Sequence, residues 1–548
     1  MSTITLNPDD LAATRTNLGL GTASTLNTGT SNGNLAVIGS DGKLPASVMA
    51  ASGGSIDLTA SGAITAGKTL ILNSDGTVSQ IAATSVTEVI GSSYTPTNET
   101  ATETGFVEYN TTADVFMMVA RSTISGTNTT RASVLSLNSS MAITETVAPV
   151  STGGGGAIYS CRYSSTHDRL LAHYQNSGSP YAASINTISY SASNGLDSDG
   201  TSNVSGSNLP YGSSIFMGTS DNTIASMYGN SSNLYIRFGA LTTGSDATGD
   251  SYASDGESDA GISTGSGSYR YYHIPIWFPT ESRLILMTHW YHSATDYRVR
   301  LAYGSVSGTG GSASFTEIGE DAWDDSDKFD DQGGLVYISD INRVIWFDQK
   351  YFRSIGMEGG YNKSSLQTLQ SSYPSAAGHD VVPIPGTNKV VFFTGDSANS
   401  DRLSYWVVTV TAGSDASGDT FTTDGPHEIS TDVVYHGVGA AYSPDVDGFL
   451  VRVRLNGAAS KTYGVRVART STNVTSSNFI GFASNSASDG GTVTVQLPGA
   501  VATPTQGSLT VGTKYYVKND GTIGTSNQSL GIAGRAASST KLIVEERA

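Results

Sequence analysis

Through the middle of the chain, runs of four or more consecutive apolar residues recur. A short polar turn precedes each run, and a strand of mixed character precedes the turn. The runs open at Val115, Leu170, Ile224, Leu284, Val344, Val390 and Phe449, after the turns TTAD, SSTHD, GTSDN, FPTES, ISDIN, PGTNK and SPDVD. Successive openings lie 55, 54, 60, 60, 46 and 59 residues apart, with no helical period between them. In the first repeat GFVEYN, VFMMVA, ASVLSLN and MAITETV read as four successive strands. A repeat of this size built from strands and turns is the pattern of a propeller blade. A single four-stranded blade has two apolar faces and two open edges, and only neighbouring blades cover the faces; a closed ring leaves no end blade uncovered. The expectation is an all-β chain with a seven-bladed β-propeller over residues 86–476.

The flanks carry a second duplication. GAITAGKTLILNSDGTV (62–78) and GSLTVGTKYYVKNDGTI (507–523) align without a gap at an offset of 445 residues. Each ends in Asp-Gly, a strong hairpin cue. The propeller is therefore expected to be inserted into, or clasped between, two related β-elements: a hairpin element at 57–85 and a small C-terminal β-domain at 477–548. Ahead of them, residues 7–18 (NPDDLAATRTNL) predict a short helix, with Asn7 as N-cap, Pro8 in the first turn, and Asp9 and Asp10 at the positive end of the dipole. Residues 1–56 hold too little apolar surface to bury a core within one chain. They are expected to form an attachment segment in which three copies share Leu11, Leu18 and Leu20. A further echo, GSDATGD (244–250) and GSDASGD (413–419), falls where a turn between third and fourth strands belongs.

Only 14% of residues are charged and 63 are glycine, as many short strands joined by tight turns require. With 38% hydrophobic residues the chain is not of disordered composition. A net charge of −18 argues against nucleic acid as a partner, since phosphate recognition needs a basic surface. The one cysteine, Cys161, excludes an intrachain disulfide and a cysteine zinc site. No secretory leader is read in MSTITLNPDD, no run approaches a membrane span, and synthesis in a host cytoplasm is expected.

The phrase TRTNLGLGTASTLNTGTSNGNLAVIGSDGKLPASVM (14–49) resembles the N-terminal region of bacteriophage tail fibre proteins. The stretch from Asn478, NFIGFASNSASDGGTVTV…GSLTVGTKYYVKNDGTIGT…GIAGRAASSTKLIV, is similar to a domain of marine-phage structural proteins. The resemblance covers about a fifth of the chain. It implies a virion fibre, usually a homotrimer, attached to tail or capsid proteins through the N-terminal segment and presenting a distal module to the host. A host-surface glycan is the expected ligand of the propeller. Two other readings are a purely structural appendage, such as a capsid fibre or spacer, and a glycan depolymerase; no S-x-D-x-G-x-x-W box of the sialidase type is present.

Aromatic and acidic segments concentrate around the third to fifth repeats: 255–272, 289–297, 320–334 and 349–353. Read as loops on the face of the second-to-third-strand connections, they place Tyr271, Tyr272, Trp290, Tyr291, Trp323 and Tyr351 in a candidate ligand site. Rings stack on the C–H faces of sugars, and neighbouring carboxylates accept hydroxyl hydrogens. The competing reading makes these rings caps between blades. Asp321, Asp324, Asp325, Asp327, Asp330 and Asp331 lack the spacing and glycine of an EF-hand and read as a solvated acidic loop. His289 and His292, three apart on a strand, lie on opposite faces. No catalytic residue, metal site or cofactor is assigned.

Overall fold

The computed structural model describes residues 54–545 apart from 96–99, 125–126, 153–157, 176–182, 199–201, 204–211, 217–222, 230–232, 264–272, 294–295, 310–311, 326–333, 375–377, 456–459, 475–477, 507, 519 and 526–530. The predicted helix at 7–18 and the shared leucines lie outside the described residues. The chain is all-β, 63% strand and 4% helix, in many small antiparallel sheets. It divides into two compact units: Thr84–Ser471, and the flanks Met1–Ala83 with Thr472–Ala548. The hairpin element and the C-terminal domain, expected as separate pieces, belong to one unit.

Within 84–471 each sheet is a meander. The first runs Thr100–Asn110, Val115–Ile124, Thr127–Leu137 and Ile143–Ser151. The second runs Ile158–Ser164, Arg169–Gln175, Ala183–Ser191 and Gly195–Ser198, and the third Gly212–Phe216, Thr223–Gly229, Asn233–Thr242 and Ser251–Ser263. The fourth consists of His273–Phe278, Arg283–Ser293, Asp296–Ser307 and Ser314–Asp325, and the fifth of Gly334–Ile338, Arg343–Phe347, Tyr351–Gly356 and Asn362–Lys363. The last sheet has seven strands because its strand Thr420–Ser443 is shared. Residues 420–433 pair with Arg402–Thr411, and residues 434–443 pair with Gly448–Leu455. Its far edge is Val89–Ile90, from the start of the unit, paired with Ser460–Arg466.

The consecutive apolar runs are second strands covered on both faces. Leu170 and Ala172 pack towards the first sheet, and Leu171 between them packs towards the third. Leu284 and Leu286 pack with the third sheet, while Ile285 and Met287 pack with the fifth. Val390 and Phe392 join Ile345 and Phe347 of the fifth sheet, whereas Val391 and Phe393 join Phe449 and Val451. The order of contact then returns on itself, because Ala441 and Leu450 of the last sheet pack with Val107, Phe116 and Met118 of the first. Consecutive first strands also touch, including 434–443 against 100–110. That approach depends on glycine: a Cβ on Gly439 would overlap the Gly105 carbonyl, and one on Gly378 the backbone of Gly437.

The flanking unit is built twice from one plan. One sheet orders Ser55–Thr59, Thr492–Gln496, Phe479–Ala483, Thr69–Leu72 and Val78–Gln80; the other orders Val501–Ala502, Leu542–Ile543, Ile532–Ala536, Lys514–Val517 and Ile523–Gly524. The aligned hairpins close identically. Asp75 accepts from the Thr77 N–H at 2.9 Å and its hydroxyl at 2.7 Å; Asp520 accepts from Thr522 at 2.9 and 2.6 Å. Both copies carry a bulge at a glycine of positive φ, Gly481 and Gly534. In the first copy, residues 84–471 separate the paired strands Thr69–Leu72 and Phe479–Ala483.

Candidate functional site

Several segments that the sequence suggested as loops are strands. Residues 251–263 and 314–325 are outermost strands of the third and fourth sheets, and 289–297 belongs to the long hairpin of 283–293 with 296–307. Outer strands face solvent, so they need no apolar alternation to hold their place. Tyr271 and Tyr272 lie outside the described residues. Trp290 and Tyr291 fall on Arg283–Ser293, and Trp323 falls on Ser314–Asp325. In register Trp290 is opposite Arg298, which is opposite Asp324; Trp323 is opposite Val299, which is opposite His289. The two tryptophans thus occupy neighbouring rows of the ladder rather than one row.

Tyr351 opens the third strand of the fifth sheet after a tight turn, and its surroundings are fully described. Asp348, buried, accepts through Oδ1 from the N–H groups of Lys350 (2.6 Å) and Tyr351, and through Oδ2 from the Tyr373 hydroxyl at 2.9 Å. The Lys350 ammonium lies 4.6 Å from the Tyr351 ring centroid and 5.2 Å from that of Tyr373. The two rings meet edge to face at 6.1 Å and 79°. Both tyrosines are half-buried. This corner unites two rings, an ammonium and a carboxylate at a second-to-third-strand connection.

The acids of the opposite turns are committed to structure. Asp114, Asp168, Asn342 and Asp447 all have positive φ, which short polar side chains tolerate. Each accepts from the tyrosine five residues earlier: Tyr109, Tyr163 (2.8 Å), Tyr337 (2.8 Å) and Tyr442 (2.7 Å). The GSDATGD and GSDASGD loops are third-to-fourth-strand turns, as expected, and each locks onto the preceding sheet. Arg169 is bidentate to Asp250 at 2.7 and 3.1 Å and donates to the Gly244 carbonyl at 3.0 Å. Arg343 repeats this with Asp419 at 2.9 and 3.4 Å, and also pairs with Glu358. Asp321, expected in a solvated loop, lies on a strand, accepts from Tyr361 at 2.8 Å and pairs with Lys363. Among the described residues, no group of three His, Cys, Asp or Glu is placed to hold a metal ion.

A second charged group escaped the sequence reading. Glu108 of the first sheet pairs with Arg162 of the second at 3.3 Å, their side chains 23% and 42% exposed. Burial pushes Glu108 up to about 7; Arg162 opposes the shift and Asp380 adds to it. Asp380, on the first strand of the last sheet, is raised to about 6 by burial while the N–H of Ala440 at 2.8 Å and that of Val381 hold its carboxylate. The signal was positional. Six residues before the left-handed turn residue stand Glu108 and Arg162 in the first two sheets, but Val336 and Ala441 in later ones.

No family model matches the chain, and no curated protein does. Among solved structures, similarity is found to a Trypanosoma rangeli sialidase in complex with the inhibitor DANA, at 10% identity and a TM-score of 0.34, covering 75% of this chain and 59% of the sialidase. Sqt1 from Chaetomium thermophilum matches at 10% identity and 0.33, covering 68% and 98%. The β-fructofuranosidase of Schwanniomyces occidentalis, complexed with fructosyl-erythritol, matches at 9% and 0.27, covering 75% and 97%. The chain thus spans about three-fifths of the sialidase's length. Among the described residues no helix is long and apolar enough to cross a membrane.

Proposed function

We propose that the chain is a bacteriophage virion fibre protein, a homotrimer, whose 84–471 unit is a seven-bladed propeller that recognises a host-surface glycan. On this reading the seven-stranded sheet is two blades that divide between residues 433 and 434, and Val89–Ile90 supplies the outer strand of the last. The cyclic packing order supports seven blades, and the fibre-like phrases at 14–49 and from Asn478 support the virion assignment. The observation that carries glycan recognition is the Asp348–Lys350–Tyr351–Tyr373 corner, where two half-buried rings stand beside an ammonium and a carboxylate. Rings of this kind offer apolar stacking area, and the flanking polar groups fix orientation.

The test is a glycan array probed with the intact protein and with the Tyr351→Ala/Tyr373→Ala variant. Binding by the parent and a loss of at least about tenfold in the variant is the expected result. Unchanged binding by a folded variant would remove this corner from the site and leave Trp290 and Trp323 to be tested by alanine replacement. No binding to any glycan would favour a purely structural appendage, and release of reducing ends from host polysaccharide would favour a depolymerase.

A further inference from the structure

Glu108, Arg162 and Asp380 stand on first strands of three different sheets, and neither a turn nor a core needs them. Between the strands of Glu108 and Asp380 runs the segment 434–443, which reads VYHGVGAAYS. Gly437 lies against Gly378 on one side, and Gly439 against Gly105 on the other, with no side chain at either contact. The Ala440 N–H reaches Asp380, so the segment is tied to one acid and abuts the strand of the other. The groups facing Glu108 are Arg162 and Cys161 from the second sheet and Asp380 from the last. Those facing Asp380 are Arg162 and the N–H groups of Ala440 and Val381, with buried His379 next along the strand. Arg452, from the strand paired with 434–443, lies against Gly105.

We propose that Glu108 and Asp380, with Arg162 as their one shared cation, form a proton-operated joint that tightens the seam at 434–443 on acidification and loosens it on alkalinisation. With both acids ionised, two negative charges answer to one guanidinium in a poorly solvated place. A proton on either removes the excess. The sign follows from linkage. Both acids titrate above their ordinary values in the folded state, so their stabilising contribution is complete below about 4 and is lost as pH rises through about 6 to 7.

The test is hydrogen exchange of peptides covering 434–443 in the intact protein at about pH 5 and about pH 8, corrected for intrinsic rates, for wild type, Glu108→Gln and Asp380→Asn. Wild type should lose protection at the higher pH by roughly threefold or more, and Glu108→Gln should lose markedly less. Protection in wild type that does not change with pH, or an undiminished change in a folded Glu108→Gln, would overturn the proposal. Should both variants fail to fold, infrared spectroscopy of wild type decides: a buried carboxylic-acid band present at about pH 5.5 and gone by about pH 8 supports the joint, and its absence at the lower pH refutes it.

Discussion

Replacing Asp250 by alanine is the sharpest test of how the sheets are held together. Asp250 is fully buried and Arg169 is 5% exposed, so the variant strands a guanidinium in a place water does not reach. Breaking such a buried pair costs about 3–5 kcal/mol. Two features place the loss towards the lower end. The guanidinium keeps the carbonyls of Gly244 and Asp168, each at 3.0 Å, while the turn loses the 2.8 Å bond from the Gly244 N–H to Asp250. About 3 kcal/mol is therefore expected. Removing both charges with Arg169→Met/Asp250→Ala should restore at least about 1 kcal/mol, because the stranded cation is gone. All five tryptophans, Trp277, Trp290, Trp323, Trp346 and Trp406, lie in 84–471, so fluorescence-detected urea unfolding reports on this unit alone. A single variant within about 1 kcal/mol of wild type, or a double variant no better than the single, would refute the latch reasoning.

Other outcomes follow from the same contacts. Gly439→Ala drives a Cβ into the Gly105 carbonyl and should cost about 2–3 kcal/mol in the same assay. Gly91→Val should do at least as much, since Gly91 donates to the Gly464 carbonyl at 2.9 Å and a Cβ there meets the Met141 backbone; limited proteolysis near residue 90 should then accelerate. Stability of the 84–471 unit should fall between about pH 4 and 7 in wild type and less so in Glu108→Gln, which unfolding midpoints across that range will show.

What the sequence made legible was the part governed by burial on two sides. Runs such as LILM at 284–287 and VVFF at 390–393 announce themselves because both faces of the strand are covered. The Asp-Gly hairpins at 75–76 and 520–521 were equally plain, since each is a local hydrogen-bonding device. Outer strands were not legible: SYASDGESDAGIS pairs along its length with 233–242, yet it carries the polarity of a loop. The edge strand Val89–Ile90 was invisible because two residues give no period and its partner lies some 375 residues away. The latches were seen as a repeated phrase but not as latches, since the arginine that each loop grips stands in the preceding repeat. Of the candidate site, Tyr351 is placed in a described cluster. Glu108, Arg162 and Asp380 were missed because the search for paired acids followed loops rather than first strands.

The interruption of the first flanking sheet has a consequence for the order in which the molecule takes shape. In its intact twin, strands Ile523–Gly524 and Ile532–Ala536 are joined by a few residues. In the first copy the corresponding partners wait for the 388 residues of 84–471 to be made. Closing so long an unfolded loop costs about 3.5 kcal/mol more than closing the short one. Once Ile90 has paired with Val465, the ends of that long stretch are neighbours and the difference disappears. The nascent chain is thereby biased towards a schedule: ring first, interrupted sheet second, while the continuous copy at the C-terminus sets its own pace.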